Sequence, residues 1–185
     1  MRKSISGFTI VELLITIIVI GIITSITIVS YNAAQKRTQN AERATQLQAW
    51  QSVFERYKAA KGELPLPTTA DGTGYCLGSN FPIGSGGVAR CRDYLDGGST
   101  SLLQSGNSAL ISALQTVVPN LPSGQNIPVG GTVGPYVYYW GTQTSGTIQI
   151  TGAFSGTTAA DCPTSTTYAW ASGTGLLICH ISITR

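Results

Sequence analysis

Few residues of this chain have the type and spacing for chemistry. Its four cysteines fall in two pairs, Cys76 with Cys91 and Cys162 with Cys179, with 14 and 16 residues between the members. That fits no compact zinc pattern such as C-x-x-C. Three disulfide connectivities are open. The local one, Cys76–Cys91 and Cys162–Cys179, is favoured because each bond closes a loop rich in Gly, Ser and Thr, worth about 3 kcal/mol in the loop-entropy model. Four buried free thiols are the alternative. The sole histidine, His180, follows Cys179 and has no matching carboxylate pattern, so it reads as structural. No Ser-His-Asp arrangement, Walker loop or G-x-G-x-x-G is present in a defensible context. Asp93-Tyr94-Leu95-Asp96-Gly97-Gly98 offers oxygens to a calcium ion, but without EF-hand spacing it reads as a solvated turn. Tyr136, Tyr138, Tyr139 and Trp140 suit an exposed stacking surface or, the commoner case, a sheet with alternate aromatics in the core. The expectation is a protein that is not an enzyme and holds no metal or cofactor.

One carboxylate stands apart. Phe8 to Val29 is a 22-residue apolar run whose only charge is Glu12. As a helix it is ~33 Å long, enough to cross a bilayer. Its many β-branched residues are poor helix formers in water but accepted in lipid, where backbone amides must bond internally. A secretory signal would have a shorter apolar core of ~7–15 residues and a small-x-small cleavage site. A plain membrane anchor explains the length but not Glu12. The positive-inside rule leaves orientation open, because Arg2 and Lys3 precede the run and Lys36, Arg37 and Arg43 follow it. Disulfides would require the C-terminal part to lie outside.

Beyond Tyr31 no Pro or Gly occurs until Gly62, so one helix is expected from about Phe8 to Lys61, ~80 Å long. Leu47, Trp50, Val53, Phe54 and Tyr57 recur at helical spacing over an arc of ~120° and form a stripe for burial. Lys36, Arg43 and Gln46 point the same way, so the stripe is expected to begin at Leu47. Asn32–Gln46 would then be a polar neck that the chain's own domain leaves uncovered. Gly62 to about Asn107 reads as a long loop and Ser108–Val118 as a short helix. Pro135–Gly141 pairs with Thr147–Thr151, and Thr166–Ala171 with Gly175–Thr184, as two hairpins. The fold class is α+β: a long N-terminal helix packed on an antiparallel sheet.

Composition supports an extracellular domain. Only 10% of residues are charged, while 42% are hydrophobic. Without Arg2 and Lys3, nine basic residues face eight acidic ones, so charge gives no support for a nucleic-acid partner.

The N-terminus resembles a known signal. Arg2/Lys3, Gly7, Phe8 and Glu12, within Gly7-Phe8-Thr9-Ile10-Val11-Glu12-Leu13-Leu14, match the class III signal of type IV prepilins and pseudopilins. Gly21 and Tyr31 also fall where these proteins often carry a glycine and an aromatic. Val29 stands where many carry a proline, which leaves a helix kink there open. The resemblance covers about thirty residues. It implies cleavage after Gly7 by a prepilin peptidase, N-methylation of Phe8 and an assembly role for Glu12. The implied organisation is a leader at 1–7, a transmembrane and filament-core helix at 8–29, its amphipathic continuation at 30–61 and a disulfide-stapled head at 62–185. The Cys162–Cys179 pair would resemble the C-terminal disulfide region of many pilins.

The resemblance implies a structural subunit of a type IV pilus-like filament. The chain would be a single-pass cytoplasmic-membrane protein with its N-terminus inside, then part of a surface filament. Its partners would be other pilin subunits, the peptidase, an inner-membrane assembly platform and, before assembly, the membrane. The alternatives are a pseudopilin of a type II secretion or competence apparatus, whose major forms often have a calcium loop instead of disulfides, and a membrane-anchored adhesion domain.

Overall fold

The computed structural model describes residues 8–65, 73–84, 86–92, 102–124, 129, 131–132, 134–141, 146–171 and 175–184. The leader, Asp93–Gly98 and the centres of both expected hairpin turns lie outside them. The chain divides into two compact units, Met1–Gln39 and Asn40–Arg185.

Helix α1 spans Ile10–Lys61 without a break, through Gly21 and Val29. Absence of proline and tertiary demand on its far end outweigh the weak propensity of its β-branched run. Gly62 then adopts φ 79°, a left-handed conformation that ends the helix, and its N–H bonds the Lys58 carbonyl.

In the first unit, every large apolar side chain from Phe8 to Ile28 is exposed, by 47% to 85%. The hydroxyls in this stretch bond to their own helix: Thr16 donates to the Leu13 carbonyl, Thr24 to Ile20, Ser25 to Ile22 and Thr27 to Ile23. Backbone and hydroxyls are therefore satisfied without water, as an apolar medium demands.

The second unit is built on a five-stranded antiparallel sheet in the order β1-β4-β5-β7-β6. The strands are β1 Thr73–Cys76, β4 Tyr136–Gly141, β5 Gly146–Ser155, β6 Thr167–Ala171 and β7 Leu176–Thr184. A small second sheet pairs β2 Arg90–Arg92 with β3 Leu102–Leu103. Helix α2 is Ser108–Gln115. Leu47, Trp50, Val53 and Phe54 of α1 share one core with Val137, Tyr139, Ile148, Ile150 and Phe154 on one face of the sheet. The fold is α+β, with both expected hairpins formed.

Four expectations are corrected. Gly62–Asn107 is not simply loop: Gly74↔Tyr138 and Tyr75↔Val137 pairing draws Thr73–Cys76 onto the sheet edge, and β2 and β3 lie within the same stretch. Strand β5 runs past Thr151 to Ser155 because β7 pairs with it from Thr147↔Thr184 to Ser155↔Leu176. The helix face covered by its own chain does not begin at Leu47. Arg43 is buried at 3% exposure, and Asn40 bonds the backbone of Ser155. Docking upstream of Leu47 is thus polar, which an apolar stripe cannot reveal. The short helix also stops at Gln115, three residues early, with Val117 and Val118 N–H both turning back to the Leu114 carbonyl.

The disulfides are Cys76–Cys91 and Cys162–Cys179. The first ties the end of β1 to β2. The second ties the segment before β6 to the middle of β7.

Candidate functional site

Helix α1 starts where its sequence can close its own end. The first N–H groups of a helix have no partner within it. Thr9 precedes the helix, and its carbonyl accepts from the Leu13 N–H at 3.2 Å. Its hydroxyl accepts from the Glu12 N–H at 3.3 Å. Glu12 Oε2 in turn accepts from the Thr9 backbone N–H and from Thr9 Oγ1, each at 2.9 Å. This reciprocal arrangement is a capping box. It places a negative charge against the positive end of the helix dipole, where that charge is favoured. The only carboxylate of the apolar run is therefore bound to the residue three before it.

The sequence reading singled out Glu12 but not Thr9. The signal was present as Thr9-Ile10-Val11-Glu12, a T-x-x-E pattern opening an apolar run. Phe8 is 82% exposed and precedes the cap by one residue. Gly7 lies outside the described residues.

The other residues with chemical character lie elsewhere, in the second unit. His180 is half-buried on β7, and burial pushes its imidazole pKa below the ordinary value. The Asp161 carboxylate accepts from the Thr157 N–H, the Thr158 N–H and Thr158 Oγ1, each at 3.0 Å, and these bonds hold its pKa below the ordinary carboxylate range. Burial lowers the Arg43 pKa, against the opposing pull of Glu42. Among the described residues, no group of three or more His, Cys, Asp or Glu side chains comes together as a metal site. Tyr139 is fully buried, and its hydroxyl donates to the Pro65 carbonyl at 3.0 Å. Tyr136 is buried on the opposite face of the sheet, beneath the Cys76–Cys91 bond. Tyr138 is half-buried beside it. The Trp140 side chain lies outside the described residues.

Residues 2–28 match the family model of the prokaryotic N-terminal methylation motif. No curated protein and no solved structure gives a significant match to the chain. The motif supports a type IV pilin-like family and a type IV pilin-like or pseudopilin precursor. Together with the exposed apolar helix it fits a membrane-anchored precursor processed by a prepilin peptidase.

Proposed function

We propose that this chain is a structural, non-catalytic subunit of a type IV pilus-like filament, cut after Gly7 and methylated on the amine of Phe8. The observation that carries the reading is the apolar face of α1. It is bare from Phe8 to Ile28, self-satisfied in its hydrogen bonds, and opens on a methylation motif with one carboxylate. Such a surface needs cover. Lipid supplies it before assembly, and neighbouring helices supply it in a filament. The disulfides favour an oxidising compartment for the C-terminal unit, hence an N-terminus on the cytoplasmic side.

Glu12 then acts as a register device. A carboxylate in a bilayer costs roughly 2.5–3.5 kcal/mol at the centre and less near an end. The Thr9 cap reduces its need for water in the isolated chain. In the filament, the Phe8 ammonium of a neighbouring subunit pairs with it. A buried pair adds little net stability, but a wrong stagger leaves a charge unpaired, and that is costly.

Intact-mass measurement and N-terminal sequencing of the exported protein test the reading. The expected mature chain begins at methylated Phe8. Retention of Met1–Gly7 on the exported protein refutes it. Long surface filaments containing the chain distinguish a pilus subunit from a pseudopilin.

A further inference from the structure

Two cations, Lys36 and Arg37, stand on α1 just beyond the apolar run, and both are exposed. We propose that they bind the headgroups of anionic phospholipids on the outer face of the membrane. The inference rests on the membrane-anchored stage of the function proposed above, with the N-terminus on the cytoplasmic side.

The first argument is where the helix puts them. Phe8 to Val29 measures ~33 Å along the axis, against a hydrocarbon layer of about 30 Å. Lys36 follows Val29 by ~10 Å. Headgroups extend the bilayer to about 40–45 Å, so the Lys36 backbone stands just outside them. On an α-helix the Cα–Cβ bond tilts towards the N-terminus. In this orientation that direction is back towards the membrane, and the long stems of Lys36 and Arg37 bring their charges to headgroup level. Tyr31, 68% exposed between the apolar run and the two cations, is of the type that sits at this interface.

The second argument is charge along the helix. One turn away from Lys36 and Arg37, residues 32–34 and 39–41 hold only Asn, Ala and Gln. No Asp or Glu occurs in the sequence between Glu12 and Glu42. This stretch of helix therefore offers two positive charges and no negative one to its surroundings. Basic residues on the outer side also run against the bias that collects Lys and Arg on the cytoplasmic side. Two of them there call for a counter-charge on that side.

The third argument is the shape of that counter-charge. Lys36 and Arg37 are neighbours in sequence, so they project about 100° apart around the helix. A protein partner docking on one helix face reads positions three and four apart. A headgroup layer surrounds the helix and meets both directions at once. Its potential also reaches both charges, because it decays over about 8–10 Å at ordinary salt.

The consequence concerns Glu12. It lies on the same unbroken helix, ~36 Å before Lys36. Headgroups that hold Lys36 and Arg37 at the outer surface keep Glu12 within about a turn of the inner hydrocarbon boundary, where a carboxylate costs least. Anionic lipid thus fixes the depth of the helix before assembly.

The full chain is reconstituted in bilayers of phosphatidylcholine and phosphatidylglycerol with a trace of spin-labelled lipid of either kind. Electron paramagnetic resonance separates lipid slowed against the helix from free lipid and gives the relative affinity of the two headgroups. The chain carries Arg2→Gln and Lys3→Gln, which silence the basic pair at the other face. Phosphatidylglycerol is expected to bind at least about fivefold more tightly than phosphatidylcholine at low salt. The preference should fade at about 1 M salt, where the screening length falls to about 3 Å. Adding Lys36→Gln and Arg37→Gln is expected to erase it without reducing the slowed phosphatidylcholine. Exchanging the two residues, Lys36→Arg with Arg37→Lys, should keep it. Equal affinity for the two lipids before the Gln substitutions at 36 and 37, or an unchanged preference after them, overturns the proposal. Either result leaves the membrane span standing, because slowed phosphatidylcholine reports the span by itself. No slowed lipid of either kind overturns the proposal and the span together.

Discussion

Asn40 and Ser155 exchange two hydrogen bonds: Asn40 Nδ2 donates to the Ser155 carbonyl at 2.8 Å, and the Ser155 N–H donates to Asn40 Oδ1 at 2.9 Å. A side-chain amide here stands in for β4, whose pairing with β5 ends at Tyr136↔Thr151, while β7 pairs with Ser155 on its other side. Arg43, nearly a turn further along, donates from Nη1 to the same Oδ1 at 3.2 Å and is buried. The helix is thus clamped to the end of β5 by polar groups above the apolar stripe that begins at Leu47.

Asn40→Ala removes both bonds and a partner of buried Arg43. The expected loss is about 2 kcal/mol, because buried polar groups left unpaired cost more than the bond was worth. Asn40→Asp keeps the acceptor for the Ser155 N–H but sets a carboxylate against the Ser155 carbonyl. Denaturant unfolding of the full chain in detergent is expected to rank the wild type above both variants. Equal stability of Asn40→Ala and the wild type would remove the clamp.

Gly152 packs directly under Leu47. A Cβ at residue 152 would lie 2.8 Å from Leu47 Cδ1 and 3.2 Å from Leu47 Cγ and Phe154 Cε2. All three residues are buried. Gly152→Ala is therefore expected to cost about 1–3 kcal/mol by overpacking. Leu47→Ala alone should cost about 2–5 kcal/mol through its cavity. The double variant should lose less than the sum, since the new methyl fills part of the space vacated. Thermal or denaturant melts of the four proteins give the coupling directly, and strict additivity would contradict the contact.

These two contacts also mark what the sequence could and could not convey. Helix α1 was legible because nothing between Asn32 and Lys61 breaks it and because its apolar stripe repeats at helical spacing. The hairpins were legible from alternation, as in Thr147-Ile148-Gln149-Ile150-Thr151. Strand β1 was not: Thr73–Cys76 is four residues long, and its partner β4 lies about sixty residues away, so only the assembled sheet makes it a strand. Arg43 looked solvated because a charge is normally exposed, and it is buried beside Asn40, whose amide also bonds the backbone of Ser155 far along the chain. The register slip that sets Trp170 opposite Ile178 leaves no mark in composition. At the N-terminus the Glu12 position drew attention through its distance from Gly7, and the shorter Thr9–Glu12 spacing passed unread.

The two disulfides close loops of similar length, with sequence separations of 15 and 17 residues. Each is expected to contribute about 3 kcal/mol by restricting the unfolded chain. Replacing Cys162 and Cys179 together by Ala, or Cys76 and Cys91 together, should lower the unfolding free energy by similar amounts. The first pair holds β7 in the main core, whereas the second holds β1 to β2. Native mass spectrometry should show the untreated protein four hydrogens lighter than its reduced form, and identical masses would deny both bonds.

His180 gives stability a pH dependence with a defined sign. Burial lowers its pKa in the folded chain below the ordinary 6.5, so the unfolded chain binds more protons as pH falls. Its contribution is full above about 6.5 and is lost as pH drops through the folded value. Among the described residues no carboxylate faces it to offset this: Thr151 and Thr167 lie opposite it on the neighbouring strands, and Arg92, Tyr136 and Tyr138 line the same cleft on that sheet face. Asp161 acts in a separate window, because its depressed pKa makes its contribution fall away only below about 3.8. Thermal melts between pH 7.5 and 5, a window set by the ordinary histidine value of about 6.5, should show a falling midpoint that His180→Gln flattens. An unchanged slope in the variant would exclude His180 as its source.

Thr9 and Glu12 allow helix capping and subunit registration to be separated. In the isolated chain Glu12 is bound to Thr9 through the capping box. Thr9→Ala removes the hydroxyl, at a cost of about 1 kcal/mol to the helix start, but leaves the carboxylate and its charge in place. Glu12→Gln keeps the size and an acceptor oxygen but removes the charge. If the carboxylate sets register against a neighbour's Phe8 ammonium, Thr9→Ala should still form filaments, and Glu12→Gln and Glu12→Ala should insert into the membrane yet assemble poorly. Membrane fractionation measures insertion, and electron microscopy of sheared surface material measures assembly. Equal loss of filaments in Thr9→Ala and Glu12→Ala would assign Glu12 to the capping box alone. Normal filaments from Glu12→Ala would remove the register role altogether.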